Sequence, residues 1–128
     1  MGGEQVTSVE LAQVLGDRTR LRILSLLSGL TELRVCDIVQ ALDLPQSTVS
    51  RHIATLRQRG FLGQRREGVV LYCSVDRNEP FAEEKGALLN AVPVLARSIC
   101  ECPRDLARAR SIDPTYDSCP NPLPNLGE

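Results

Sequence analysis

The sequence predicts a mainly α-helical fold with one small β-hairpin, and three observations predict it. Apolar residues recur at helical spacing in five separate stretches. Two extended runs meet at a Glu67-Gly68 turn. With 42% apolar and 24% charged residues among 128, the chain has the composition of one folded domain plus a tail.

Residues 6–15 read as a short helix ended by Gly16. Asp17 is a good N-cap for a second helix through Leu21, Ile23, Leu24 and Leu27, which closes near Ser28-Gly29. Leu33-Arg34-Val35 forms a short extended piece, and a third helix spans Cys36 to Leu42. Asp43-Leu44-Pro45 breaks the pattern before a fourth helix, Gln46 to Arg59, stopped by Gly60. In this helix Val49, Ile53 and Leu56 make one buried stripe, while Ser47, Arg51, Ala54 and Gln58 form the opposite face. Those small and hydrogen-bonding side chains suit close approach to base edges.

Leu62–Arg66 and Val69–Val75 make the hairpin, with Arg65 and Arg66 near its tip and Val69, Leu71, Cys73 and Val75 on one apolar face. Asn78-Glu79-Pro80 opens a fifth helix with Phe81, Leu88, Val92, Leu95 and Ile99 near heptad spacing, a stripe that either completes the core or meets a second copy of the chain. Pro93 is expected to kink or interrupt it. A short helical piece, Pro103 to Arg110, follows, and from Asp113 the composition is that of a mobile tail. This order of parts is that of a winged helix-turn-helix. The helix after Pro45 then enters a major groove, led by Gln46, Ser47, Ser50 and Arg51, while Arg65 and Arg66 grip phosphate.

The net charge of −1 hides an uneven distribution. Residues 46–77 carry six arginines against two acids, whereas residues 1–45 and 78–128 are both net acidic. A positive middle with acidic flanks favours one phosphate-binding surface over indiscriminate polyanion binding. The alternative is a solvated charged face. No apolar run approaches membrane-spanning length and residues 1–5 lack a signal-peptide pattern, so the expectation is a cytoplasmic protein with no membrane partner.

The five cysteines, at 36, 73, 100, 102 and 119, do not form a disulfide framework in a reducing compartment. His52 is the single histidine, so metal chemistry within one chain must be thiolate chemistry, which suits soft ions. His52 itself lies on the flank of the fourth helix, where packing or a phosphate contact fits better than ligation.

Three stretches resemble the arsenical-resistance repressor (ArsR/SmtB) family of bacterial metal-sensing regulators. Leu15–Leu24 is similar to its helix start, with Arg18 where the family has proline. Gln46-Ser47-Thr48-Val49-Ser50-Arg51-His52-Ile53 with Leu56-Arg57 is similar to its recognition helix. Glu32–Ile38 is similar to its thiol-bearing box, with Arg34 in place of the first cysteine and Cys36 retained. The resemblance spans roughly residues 6–97. It implies a homodimer through the first and last helices, with Gln46, Ser47, Thr48, Ser50, Arg51, His52, Arg57, Arg65 and Arg66 on operator DNA. The DNA-binding and dimerisation domain is then 1–97, followed by a cysteine-containing C-terminal tail, 98–128.

Cys36 opens the third helix, where unpaired backbone N–H groups favour a thiolate; the plainer alternative is a small buried apolar residue. Cys100 and Cys102 would diverge in a continuous helix, but Pro103 disfavours helical geometry at Cys102 and lets both sulfurs converge. Arsenic(III) needs a third thiolate, from Cys36 or, as an alternative, Cys119. Cys73 belongs to the core. The expected function is a repressor that needs no cofactor to bind DNA. A thiophilic inducer, arsenite or antimonite first, then cadmium, lead or zinc, releases it. Rival readings are the same repressor sensing oxidants or reactive sulfur through disulfides, a small thiol oxidoreductase, and a winged helix used only for protein contacts. The oxidoreductase reading is disfavoured because no Cys-x-x-Cys motif is present.

Overall fold

The computed structural model describes residues 8–112, so Cys119 and the segment from Asp113 lie outside the described residues. The first element is α1 (Ser8–Val14). Asp17 then caps α2 (Arg18–Gly29), its carboxylate accepting from the Arg20 N–H at 3.1 Å, which satisfies one of the orphan donors of the first turn. A two-residue strand, β1 (Leu33–Arg34), leads into α3 (Val35–Leu42).

Asp43 ends α3 in the left-handed conformation, φ 54°, and its N–H bonds back to Val39 and Gln40 carbonyls. Aspartate tolerates that conformation better than most residues. Pro45 stands at the N-cap of α4 (Gln46–Gln58), whose Val49, Ile53 and Leu56 are all fully buried. Gly60, at φ 86°, reverses the chain into β2 (Leu62–Glu67), a backbone conformation that favours glycine.

β2 pairs with β3 (Val70–Val75) from Leu62↔Val75 to Glu67↔Val70, so the two-residue turn is Gly68-Val69, one residue later than the sequence suggested. Gly68 supplies the positive φ that such a tight turn requires. The shift puts Val69 at the exposed tip instead of on the apolar face, which keeps Leu71 and Cys73 buried. β1 adds to the free edge of β3 through Leu33↔Cys73 and Arg34↔Tyr72, giving a three-stranded antiparallel sheet in the order β1-β3-β2.

α5 (Ala82–Ala96) starts after Phe81, which is itself left-handed, and continues through Pro93 without a break. The expected interruption does not occur. The proline ring faces solvent, while Leu89 before it and Val92 and Ala96 around it hold the helix on the core. That burial outweighs the roughly 3 kcal/mol an interior proline costs. The buried stripe is Leu89, Val92, Ala96 and Ile99; Val94 and Leu95 are exposed, so of the two places open to the stripe Leu95 does not take the one in the core. α6 (Glu101–Ser111) begins two residues before the expected piece and packs on α2 and α3.

One core joins these parts, with Leu11, Ile23, Leu26, Ile38, Ile53, Phe61 and Leu89 among its closed side chains. Among the described residues no helix is long and apolar enough to cross a membrane.

Candidate nucleic-acid interface and thiol groups

α3, the Asp43-Leu44-Pro45 turn and α4 form the helix-turn-helix, and the sheet hairpin is its wing. Burial of Val49, Ile53 and Leu56 turns the other side of α4 outwards: Ser47, Arg51 and Gln58 are exposed, and Gln46, Thr48, Ser50 and Ala54 half-exposed. The Ser50 hydroxyl donates to the Gln46 carbonyl at 2.7 Å, which fixes its rotamer in the absence of a ligand. His52 is half-buried, with Nε2 3.8 Å from Asp17 Oδ1, so it leans on the cap of α2.

The wing arginines differ from each other. Arg65 is tied to Glu32 by bonds of 3.1 and 2.9 Å, lies 3.4 Å from Glu67, and stacks its guanidinium 4.3 Å from the centre of the Tyr72 ring. Hydrogen bonding to Arg65 draws the Glu32 carboxyl below its ordinary pKa, and Glu32 in turn raises that of Arg65. Arg66 is exposed. Arg57, from the last turn of α4, has a buried Nε with no hydrogen-bond partner among the described residues and lines, with Gln64, Arg66 and Asp76, an open cavity of about 400 Å³ between α4 and the wing.

Lys85 of α5 is the residue that sequence reasoning missed here. Only 2% exposed, it donates to the Gly60 carbonyl at 2.9 Å and lies 3.9 Å from Asp76, so α5 holds the junction of α4 and the wing. Its charge gave no signal, because a lysine beside Glu83 and Glu84 reads as a solvated face.

The thiols are dispersed. Cys36 is buried in the first turn of α3 and is disulfide-bonded, so in this state it offers no thiolate. Among the described residues that is the one exception to the expectation of free thiols; Cys73, Cys100 and Cys102 are free. Burial pushes the Cys73 thiol up to about 11, which fits its core placement. Cys100 caps α6 and is exposed, with Sγ 3.6 Å from Glu101 Oε1.

Cys102 corrects the expectation of an extended residue. Pro103 is the third residue of α6, within the first turn, where a missing N–H costs no helical bond, so Cys102 stays helical. Cys100 at the N-cap is exposed while Cys102, in the first turn, is half-buried, so the two side chains differ in their surroundings. Burial, ahead of the opposing Ser25 contact, raises the Cys102 pKa. Among the described residues no three His, Cys, Asp or Glu side chains are grouped to hold a metal ion. The donor chemistry suits a soft ion; the arrangement of the described thiols does not. Where the family box carries its first cysteine, Arg34 instead makes a bidentate bridge to Asp37 at 2.9 and 2.8 Å.

Comparison with known proteins follows the same outline. The family model described as the arsR family of bacterial regulatory proteins matches residues 17–62, the segment from the cap of α2 to the start of the wing. The chain is 50% identical over 60 residues to the arsenical resistance operon repressor of Escherichia coli, covering 47% of this chain and 51% of that one. It is 37% identical over 83 residues to the transcriptional repressor PagR of Bacillus anthracis, covering 65% and 81%. The structure of HlyU from Vibrio cholerae superposes with a TM-score of 0.59 at 28% identity, over 78% of this chain and 99% of that one. The chain spans about half to two thirds of the length of the arsenical and arsenic resistance regulators it matches. With its helix-turn-helix, its wing and these likenesses, the chain belongs to the ArsR/SmtB family of bacterial regulatory proteins.

Proposed function

We propose that this chain is a homodimeric transcriptional repressor that reads operator DNA with α4 and is released from it by a thiophilic inducer. The observation that carries the reading is the outward face of α4, where Ser47 and Arg51 stand exposed beyond a fully buried Val49-Ile53-Leu56 stripe. Gln46, Thr48, Ser50, His52 and Arg57 flank that face, and Arg65 and Arg66 serve the phosphates beside it. The exposed Val94 and Leu95 of α5 and Val9 of α1 support pairing of two copies through the first and last helices of residues 1–97.

The inducer is arsenite or antimonite, held by thiolates of Cys36, Cys100 and Cys102, with Cys119 as the alternative third donor. Support comes from the soft-donor chemistry of the set and from the name of the Escherichia coli relative, an arsenical resistance operon repressor. Residues 98–128 then form the sensing segment. Because Cys100 and Cys102 differ in their surroundings at the start of α6, capture requires that turn to rearrange. Ligand and DNA therefore favour different arrangements and each weakens the other's binding, by about 30- to 150-fold for a coupling of roughly 2–3 kcal/mol.

A second reading keeps the repressor and changes the signal to an oxidant. The disulfide at Cys36 favours it. The deciding experiment is a fluorescence titration of operator binding under strong reductant with arsenite, cadmium, zinc and peroxide, repeated on single Cys→Ser variants. Release by arsenite in reductant, lost in Cys102→Ser, supports the metalloid reading. Release by peroxide alone refutes it.

A further inference from the structure

α6 is fastened to its seat chiefly by polar bonds. Ala109 is its one buried apolar residue and Leu106 is half-buried against Gly29. Asp105, 1% exposed, instead accepts two hydrogen bonds from Arg22 of α2, each 2.8 Å long. Arg22 uses the same Nη2 to donate to the Leu42 carbonyl at 2.8 Å. Arg108, one turn further along α6, donates to the Ala41 carbonyl at 2.8 Å and leans on Asp105 at 3.4 Å.

Ala41 and Leu42 are the last two residues of α3, whose carbonyls have no helical partner and carry the negative end of the helix dipole. Directly after them come the left-handed Asp43, Pro45 and the start of α4. Two guanidinium groups thus hold the end of α3, and one carboxylate from α6 orients both. Asp105 lies outside the matched stretch 17–62, so this fastening belongs to the segment that follows the family domain.

We propose that Asp105 is a positioning residue for DNA reading: through Arg22 and Arg108 it fixes the end of α3 and so the attitude of α4. The inference rests on the DNA-reading part of the proposed function. Without the Asp105 charge, Arg22 is a buried cation without its counter-ion and turns towards water, giving up its bond to Leu42. α4 keeps its own fold and its phosphate attraction but loses its fixed angle to the groove. Base contacts depend on that angle; phosphate attraction does not.

The test uses the full chain and two duplexes of equal length, one that the parent chain selects from a random pool and one unrelated. Asp105→Asn lowers affinity for the selected duplex at least about ten-fold while affinity for the unrelated duplex stays within about two-fold. Arg108→Gln, whose side chain is 40% exposed, shows the same split at about three-fold, and decides the matter alone if Asp105→Asn does not fold. Equal losses on both duplexes, or folded variants matching the parent on the selected one, overturn the inference while the repressor reading stands. A parent that selects no duplex overturns both.

Discussion

Replacing Arg51 with alanine removes a guanidinium that stands exposed at the sixth residue of α4, with no ion pair found for it among the described residues. If that group reads a guanine edge, its bidentate pair supplies about 1–3 kcal/mol of discrimination. Its loss weakens specific binding by about 5- to 150-fold per recognition helix. Arg65→Ala is the control that the structure singles out. Before Arg65 reaches a phosphate it must loosen two bonds to Glu32, the approach to Glu67 and its stack on Tyr72. Exchanging one exposed ion pair for another nets about 1 kcal/mol or less, so Arg65→Ala costs about five-fold or less. Fluorescence anisotropy on a selected duplex, repeated at several salt concentrations, measures both. An Arg51→Ala loss below about two-fold, or an Arg65→Ala loss exceeding it, refutes the assignment of base reading to α4.

Three other outcomes are expected. Under native, reducing conditions at neutral pH, alkylation followed by mass spectrometry should label Cys100 first, Cys102 more slowly and Cys73 only on unfolding. Exposure and the raised thiol pKa values set this order, and early labelling of Cys73 contradicts it. Ile53→Ala, at a fully buried site, should lower unfolding free energy in urea by about 2–5 kcal/mol, and a cost under about 1 kcal/mol would mean that α4 is not packed as described. Arg18 holds the Glu101 carboxyl down at about 2, below its value in an unfolded chain; the contribution is therefore present above the ordinary carboxylate range and lost as pH falls towards 2. Protection factors of the amides in the first turn of α6, with exchange corrected for its intrinsic pH dependence, should fall across that acid window in the parent, and Arg18→Gln should lessen that fall.

Much of the fold was legible because local chemistry and tertiary packing agree. Asp17 caps α2, Gly60 stops α4, and the Val49-Ile53-Leu56 stripe is buried as its spacing demands. Failures fall where a local rule met a stronger or different constraint. Proline was read as a breaker at both Pro93 and Pro103, yet packing carries α5 across the first, and the second occupies a first turn where no bond is lost. The hairpin slipped by one residue because Glu67-Gly68 and Gly68-Val69 both offer glycine to a two-residue turn. The candidate DNA face followed from helical period alone, whereas the thiol geometry hung on the conformation of Cys102. The buried pairs Arg22–Asp105 and Lys85–Gly60 leave no trace in sequence, since a charged residue reveals its burial only once its partner arrives from another element.

The same point governs the charge argument. Six arginines against two acids in residues 46–77 describe a segment, but DNA meets a surface. Arg65 is largely answered by Glu32, which belongs to the acidic N-terminal segment, and Arg57 is half-buried. Folding has spent part of the positive excess on tying the wing to Glu32. Arg51 in α4, Arg59 at its C-cap, Arg66 on the wing and Arg77 after β3 are exposed, and the first three lie on the two elements that the proposed reading sets against DNA together. Fewer charges in fixed positions lower the nonspecific, salt-dependent part of binding and leave more of the affinity to base contacts. A selective reader of DNA needs that balance, and a polyanion sponge does not.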